Sequence, residues 1–273
     1  MIEETKILLR HLNTFPQTPR YPVLFVGHGS PMNGIEDNVY SRAWETLGKT
    51  LPKPVAILVV SAHWLAGETG VDISESPKTV HDFYGFPEEL YALTYPAPGA
   101  PAFAHATQTL LADYHAGAEE YGLDHGAWIV LRRMYPNADV PVYQLAIDVD
   151  KQGSHHYGIG EALRPLRERG VLIIGSGNIV HNLRDIDWKP DAQVFDWAQE
   201  FDEKVKALIL EGDHDALCDY FSIAPSASRA VPTPDHYFPL LYALGAGGKD
   251  SEVTFPIEGI VHRSISMRSV LFC

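Results

Sequence analysis

Ile57-Leu58-Val59-Val60-Ser61-Ala62-His63 is an apolar run of strand length that closes on a histidine, and its reading decides the fold. Residues 55–60 show no alternation of apolar and polar positions, the pattern of a strand covered on both faces. Val23-Leu24-Phe25-Val26-Gly27-His28 repeats the design upstream, and Leu172-Ile173-Ile174-Gly175-Ser176-Gly177-Asn178-Ile179-Val180-His181 repeats it downstream. Between these runs the pattern turns helical. The alternation predicts an α/β fold: a mostly parallel or mixed central sheet covered by helices on both faces, in a single domain spanning residues 1–273.

Working outward, strands are expected at residues 23–26, 55–60, 142–147 and 171–174, with β-like segments at 253–255 and 264–272. Helices are expected at 41–47, 103–114, 160–168, 192–210 and 237–244. In the longest of these, Val194, Trp197, Ala198, Phe201, Val205, Leu208 and Ile209 share one face at helical spacing, which marks core packing. Residues 76–101 are irregular and rich in proline and glycine, yet hold Phe83, Tyr84, Phe86, Tyr91 and Tyr95. A connection this aromatic is expected to fold as a wall or lid beside a site.

Composition excludes several classes. A formal net charge of −14 opposes nucleic acid, whose phosphates need clustered Lys and Arg, and opposes an anionic membrane surface. Residues 1–10 carry two glutamates and no long apolar stretch, and no run approaches the ~18 apolar residues of a membrane span, so a soluble cytoplasmic protein is expected. The only cysteines, Cys218 and Cys273, form no CxxC pair and no thiolate zinc cluster, in keeping with a reducing compartment. Gly175-Ser176-Gly177-Asn178 lacks the third glycine of a dinucleotide fingerprint, and Ser30 beside His28 sits in no nucleophile elbow.

Thirteen histidines remain to be sorted. His28, His63 and His181 follow apolar runs at the sheet edge where open α/β folds build sites, and His236 ends the turn Pro232-Thr233-Pro234-Asp235-His236. Neutral imidazole is the commonest transition-metal ligand in proteins, so these four are the candidate metal set. His11, His105, His115, His155, His156, His214 and His262 read as structural or solvated, with the 155–156 doublet at most a weak surface metal trap.

Six motifs, in order along nearly the whole chain, then carry a resemblance: Gly27-His28-Gly29-Ser30-Pro31, Ser61-Ala62-His63-Trp64, His81-Asp82-Phe83-Tyr84-Gly85-Phe86-Pro87, Asp124-His125-Gly126-Ala127-Trp128, the Gly175–Leu183 stretch, and Pro232-Thr233-Pro234-Asp235-His236-Tyr237. Together they resemble the class III extradiol ring-cleavage dioxygenases, and within them the 4,5-DOPA extradiol dioxygenase group. The resemblance implies a non-haem iron enzyme that takes a small catecholic substrate and O2 and opens the ring beside its two hydroxyls. It implies that His28 and His63 bind metal and that His236 stands where the wider class has a glutamate. His181 matches the acid/base histidine, with a fourth-ligand role open to it, and His125 matches the histidine that contacts substrate and handles protons. Asp124 and Asn182 are the neighbours expected to orient these two. Fe(II) is the metal expected for catalysis, while three imidazoles also suit Zn(II), which is redox-inactive. A zinc hydrolase using the same histidines and a non-catalytic binding protein on this scaffold are the alternatives.

Overall fold

The structure, a computed structural model, describes residues 12, 14–189 and 193–273. The expectations placed on residues 1–10, on His11 and on the start of a helix at Ala192 lie outside the described residues. Elsewhere the strands form where expected. Among the described residues, β1 (Val23–Gly27), β2 (Ala56–Ala66), β3 (Gly70–Asp72), β4 (Gly117–Glu119), β5 (Val142–Asp148), β6 (Val171–Gly177), β7 (Val253–Ile257) and β10 (Ser269–Phe272) build one mixed sheet in the order β4-β3-β5-β2-β6-β1-β10-β7. The central β5-β2-β6-β1 block is parallel, and β10 and β7 close one edge antiparallel. A separate two-stranded ribbon pairs β8 (Ile260–Val261) with β9 (Ile265–Ser266).

Alternation along the strands divides the core into two layers. Val23, Phe25, Leu58, Val60 and Ile173 face one side, where α2 (Pro101–Leu110), α4 (Gly153–Leu163), α5 (Asp196–Glu211) and α6 (Phe238–Gly247) cover them. Leu24, Val26, Ile57, Val59, Leu172 and Ile174 face the other, under α1 (Val39–Thr50) and α3 (His125–Met134). Both faces are therefore dry, which is why these runs show no polar alternation. Ala198, Phe201, Val205 and Ile209 of α5 are buried, as the helical spacing requires.

Several boundaries differ from expectation for identifiable reasons. Strand β2 continues past Val60 to Ala66, so His63 lies within the strand; its pairing with β5 shifts register between Val60 and Leu65. The helix expected at 160–168 instead spans Gly153–Leu163 and gives way to a 3-10 segment, Arg164–Arg169. Pro165 cannot donate to a carbonyl one turn back, which ends the α-helical ladder there. His156 of that helix is buried, with Nδ1 2.9 Å from the Tyr242 hydroxyl, so the doublet is no surface metal trap. The segment at 264–272 is broken into β9 and β10 by Arg268, whose buried guanidinium donates to Asp202 at 2.8 Å. Helix α3 was not anticipated; Asp124 caps it, accepting from the Ala127 N–H at 3.2 Å.

Candidate metal centre

Strand order brings the histidines together. Because β6 lies between β2 and β1, the residues that end these three strands meet at one sheet edge, with Ser176 paired to both Val26 and Ser61. His28 leaves β1 with its N–H donating to Gly177 O at 3.0 Å. His236 arrives on a 3-10 turn, Pro234–His236, whose last carbonyl accepts the Asn178 N–H at 2.8 Å. Gly177 permits this approach: a Cβ there would stand 2.1 Å from His236 O. His125 opens α3, at the mouth of the same cleft.

The ring centroids of His28, His63 and His236 form a nearly equilateral triangle with sides of 5.1, 5.2 and 5.0 Å. Three imidazoles bound through nitrogen to one ion at about 2.0–2.1 Å would place their centroids about 4.5–5.2 Å apart for octahedral to tetrahedral angles. Two more rings flank the triangle. His125 stands 3.9 Å from His63, and His181 lies parallel to His236 at 3.4 Å, with 6° between the planes. Both distances are too short for two imidazoles sharing an ion, and parallel planes aim their lone pairs along parallel lines.

Each ring of the triangle is turned by a partner on Nδ1. Ser176 Oγ donates its single proton to Gly126 O at 2.6 Å, so at 3.0 Å it accepts from His28 Nδ1. Asp82 Oδ2 accepts Nδ1–H from His125 at 2.9 Å and lies 3.2 Å from His63 Nδ1, while Asp82 Oδ1 accepts the His125 backbone N–H at 2.9 Å. Asp235 holds His236 Nδ1. With the Nδ1 atoms turned to these partners, the Nε2 atoms are the ones left for a ligand, and those of His28 and His63 face each other at 3.2 Å. Two lone pairs at that separation repel unless a cation attracts both, and about 2.9–3.4 Å is the spacing that two ligands of one ion adopt.

The donor atoms of His28, His63 and His125 also converge within 4.8 Å of one another, as do those of His181, Asp235 and His236. The centroid triangle is the better guide to a shared ion, because Asp235 faces Nδ1, behind the His236 donor, and His125 crowds His63.

Electrostatics favour the neutral form of His28, His63 and His181. Burial, then the imidazoles of His236, His125 and His181, hold His28 well below its ordinary pKa; burial and the surrounding imidazoles do the same for His63. His181 is lowered as well, by burial and then by His236. Burial pushes Asp82 up, but the hydrogen bond and charge of His125 outweigh it and leave the carboxyl below its usual range. Burial acts on Asp235 in the same way, and the bond from His236 overrides it to hold the group at about 2. Both orienting carboxylates are therefore ionised near neutrality.

A cavity of about 360 Å³ opens above the rings, walled by Phe83, Phe86, Ile186, Trp188 and Ile265. The aromatic loop divides in two. Phe83–Phe86 borders the opening, whereas Tyr95 is buried in the core, its hydroxyl donating to Tyr135 O at 3.1 Å. Asp82 orients His125 in place of Asp124, and Asp235 orients His236, while the ring of His181 has no such partner among the described residues. Asp124 caps α3 and accepts from Ser61 Oγ at 2.6 Å; the Asn182 amide donates to Arg229 O at 2.8 Å, away from His181. Sequence reading missed both carboxylates, although each sits inside a quoted motif. The available signal was an acidic residue in an otherwise apolar, aromatic stretch.

Comparison with known proteins places the chain in a family. Residues 23–273 match the family described as the catalytic LigB subunit of aromatic ring-opening dioxygenase. A 4,5-DOPA dioxygenase extradiol of Escherichia coli is 48% identical over 256 residues, covering 92% of this chain and 94% of that one. One from Beta vulgaris is 40% identical over 235 residues, covering 84% and 87%. A crystal structure of an Escherichia coli protein described as uncharacterized superposes with a TM-score of 0.82 at 43% identity, over 93% of this chain and all of that one. With a family match over most of its length and close relatives that bear out the same family, the chain belongs to the LigB family of aromatic ring-opening dioxygenases.

Proposed function

We propose that the protein, acting as one catalytic unit in the cytoplasm, opens the ring of a DOPA-like catechol with O2 beside its two hydroxyls, giving a muconate semialdehyde. In this reading His28, His63 and His236 hold ferrous iron. The observation that carries it is the near-equilateral set of imidazoles at the floor of an aromatic cavity. Ferrous iron held there would supply the redox chemistry that couples a catecholate to O2.

The chain's own residues do the rest. His125, with Nδ1 tied to Asp82, presents an Nε2 that accepts a catechol hydroxyl proton. His181 is neutral and makes no ring hydrogen bond with a described residue, so it is free to take and return a proton on the far side of the triangle. Phe83 stands edge-on to His125 at 5.6 Å and to Phe86 at 5.5 Å, where it packs on a bound ring and keeps water out.

Anaerobic reconstitution with Fe(II) or Zn(II), followed by oxygen uptake over a panel of catechols, tests the reading. The ferrous protein is expected to consume oxygen and form a coloured semialdehyde, and the zinc protein to do neither, since zinc is redox-inactive. Ester or amide hydrolysis by the zinc form with no oxygen uptake by the iron form would establish a hydrolase instead. Phe83→Ala is expected to raise KM for catechols about 2–12-fold, the worth of one good aromatic pair of about 0.5–1.5 kcal/mol. An early-melting variant with unchanged KM would assign the loop to the core alone.

A further inference from the structure

The rim of the cavity holds a histidine that the site so far does not use. His262 lines the opening beside Trp188, with ring centroids 4.7 Å apart. Its ring makes no hydrogen bond with any described residue, unlike the four oriented rings below. The turn joining β8 to β9 carries it in the left-handed region, φ 50°, followed by Arg263 at φ 71°. Two successive side-chain-bearing residues rarely adopt this conformation unless their surroundings hold them there.

The surroundings do hold them. The His262 carbonyl accepts the Asp187 N–H at 3.2 Å, Arg263 Nε donates to Gln193 O at 2.9 Å, and Ser264 Oγ donates to Asn182 O at 2.8 Å. The turn that carries this ring is thus fixed at the entrance, and the ring itself rests against Trp188. Two large apolar side chains at the same rim, Trp188 and Leu183, are 59% and 60% exposed, so the entrance has unsatisfied apolar surface as well.

Charge then selects the ligand. The chain has a net charge of −14, yet among the described residues no Asp or Glu lines this cavity; its described titratable side chains are the six imidazoles of His28, His63, His125, His181, His236 and His262 and the Tyr84 phenol. A described lining of imidazoles and apolar groups, with Asp82 and Asp235 set behind the rings, leaves the cavity wall itself able to receive an anionic group. Beyond the rim, Ser30, Trp188 and His262 also line a neighbouring cleft of about 510 Å³ that contains Lys189. A substituent reaching past the ring finds room there, with the Lys189 ammonium and the Glu36 carboxylate both on the wall.

We infer that His262 is the specificity-determining residue that donates its N–H to a carboxylate carried on the catechol's side chain, with Trp188 packing on the linker. The preferred substrate class is then carboxylate-bearing catechols. This rests on the catechol reading above and adds to it a recognition point at the opposite end of the substrate.

The test compares compounds that differ only in that carboxylate: L-DOPA with dopamine, and dihydroxyhydrocinnamate with 4-ethylcatechol. In ferrous protein, His262→Ala is expected to lower the ratio of kcat/KM for the carboxylated over the uncarboxylated partner about tenfold, chiefly through KM. His262→Gln, which keeps an N–H donor, is expected to recover most of that ratio. Calorimetric binding of the same four compounds to zinc-loaded protein reads the same discrimination without turnover. Loss of the preference in both assays supports the assignment. A ratio within twofold of wild type in His262→Ala, or equal weakening of all four compounds, overturns it. Wild type that binds carboxylated catechols selectively but takes up no oxygen overturns the ring-opening reading and leaves the role of His262 standing.

Discussion

His28→Ala and His63→Ala, each carried through anaerobic loading with ferrous iron, are expected to emerge with little bound metal and with turnover down by more than about 10³-fold. Loss of an outer partner of a ligand typically weakens metal binding 10–100-fold, and loss of the ligand itself exceeds that. Metal per chain by elemental analysis and initial rates of oxygen uptake provide the check. The apoprotein should tolerate the changes better than burial suggests. His28 is only 3% exposed, and truncating a buried aromatic commonly costs about 3–5 kcal/mol. Here the deletion also removes one of two lone pairs facing each other at 3.2 Å, which offsets part of the cavity cost. The melting temperature of apo His28→Ala should therefore fall less than that of Trp128→Ala, a core truncation in α3. Full metal occupancy in either histidine variant would refute the ligand assignment.

His125→Ala and His181→Ala are expected to keep metal and fold but lose about 10²–10⁴-fold in kcat, the usual worth of a positioned acid or base. The flanking positions of these rings, 3.9 Å from His63 and 3.4 Å from His236, motivate the separation from the ligand triangle. Asp82→Asn is expected to fall between the two classes. One oxygen of Asp82 serves both His63 and His125, so its loss loosens a ligand and a proton carrier together, by about 10–100-fold in metal affinity or rate. A His181→Ala protein that cannot retain metal would make His181 a ligand, and the stacked geometry would then describe only the metal-free arrangement.

Much of this was legible in the linear chain because the relevant physics is local. Val23–Val26, Ile57–Val60 and Val171–Ile174 read as strands buried on both faces, and the two core layers fall on alternate residues of those runs. Tyr237 and the apolar residues after it read as a helix for the same reason. Errors arose where neighbours in space overrule neighbours in sequence. Nothing in residues 61–66 announces that β2 continues, because its extension depends on pairing with Ile147 and Asp148 of β5. His262 looked like an ordinary polar histidine, and its turn becomes a cavity rim only because Asp187, Gln193 and Asn182 hold it.

By itself the sequence determined the fold class and the candidate histidines, because apolar periodicity and side-chain chemistry belong to the residues themselves. It also carried the family resemblance, through motifs spread along the chain. Only the tertiary structure decided which histidines share a centre and what turns them. Asp82 meets His125 across 43 residues, Ser176 meets His28 across 148, and His236 reaches the triangle because Gly177 lets its backbone close on β6. Those meetings follow from the order β2-β6-β1, a property of how strands pair through the backbone. A hydrogen bond or a shared ion depends on distances of a few ångströms, and separation along the chain does not encode them.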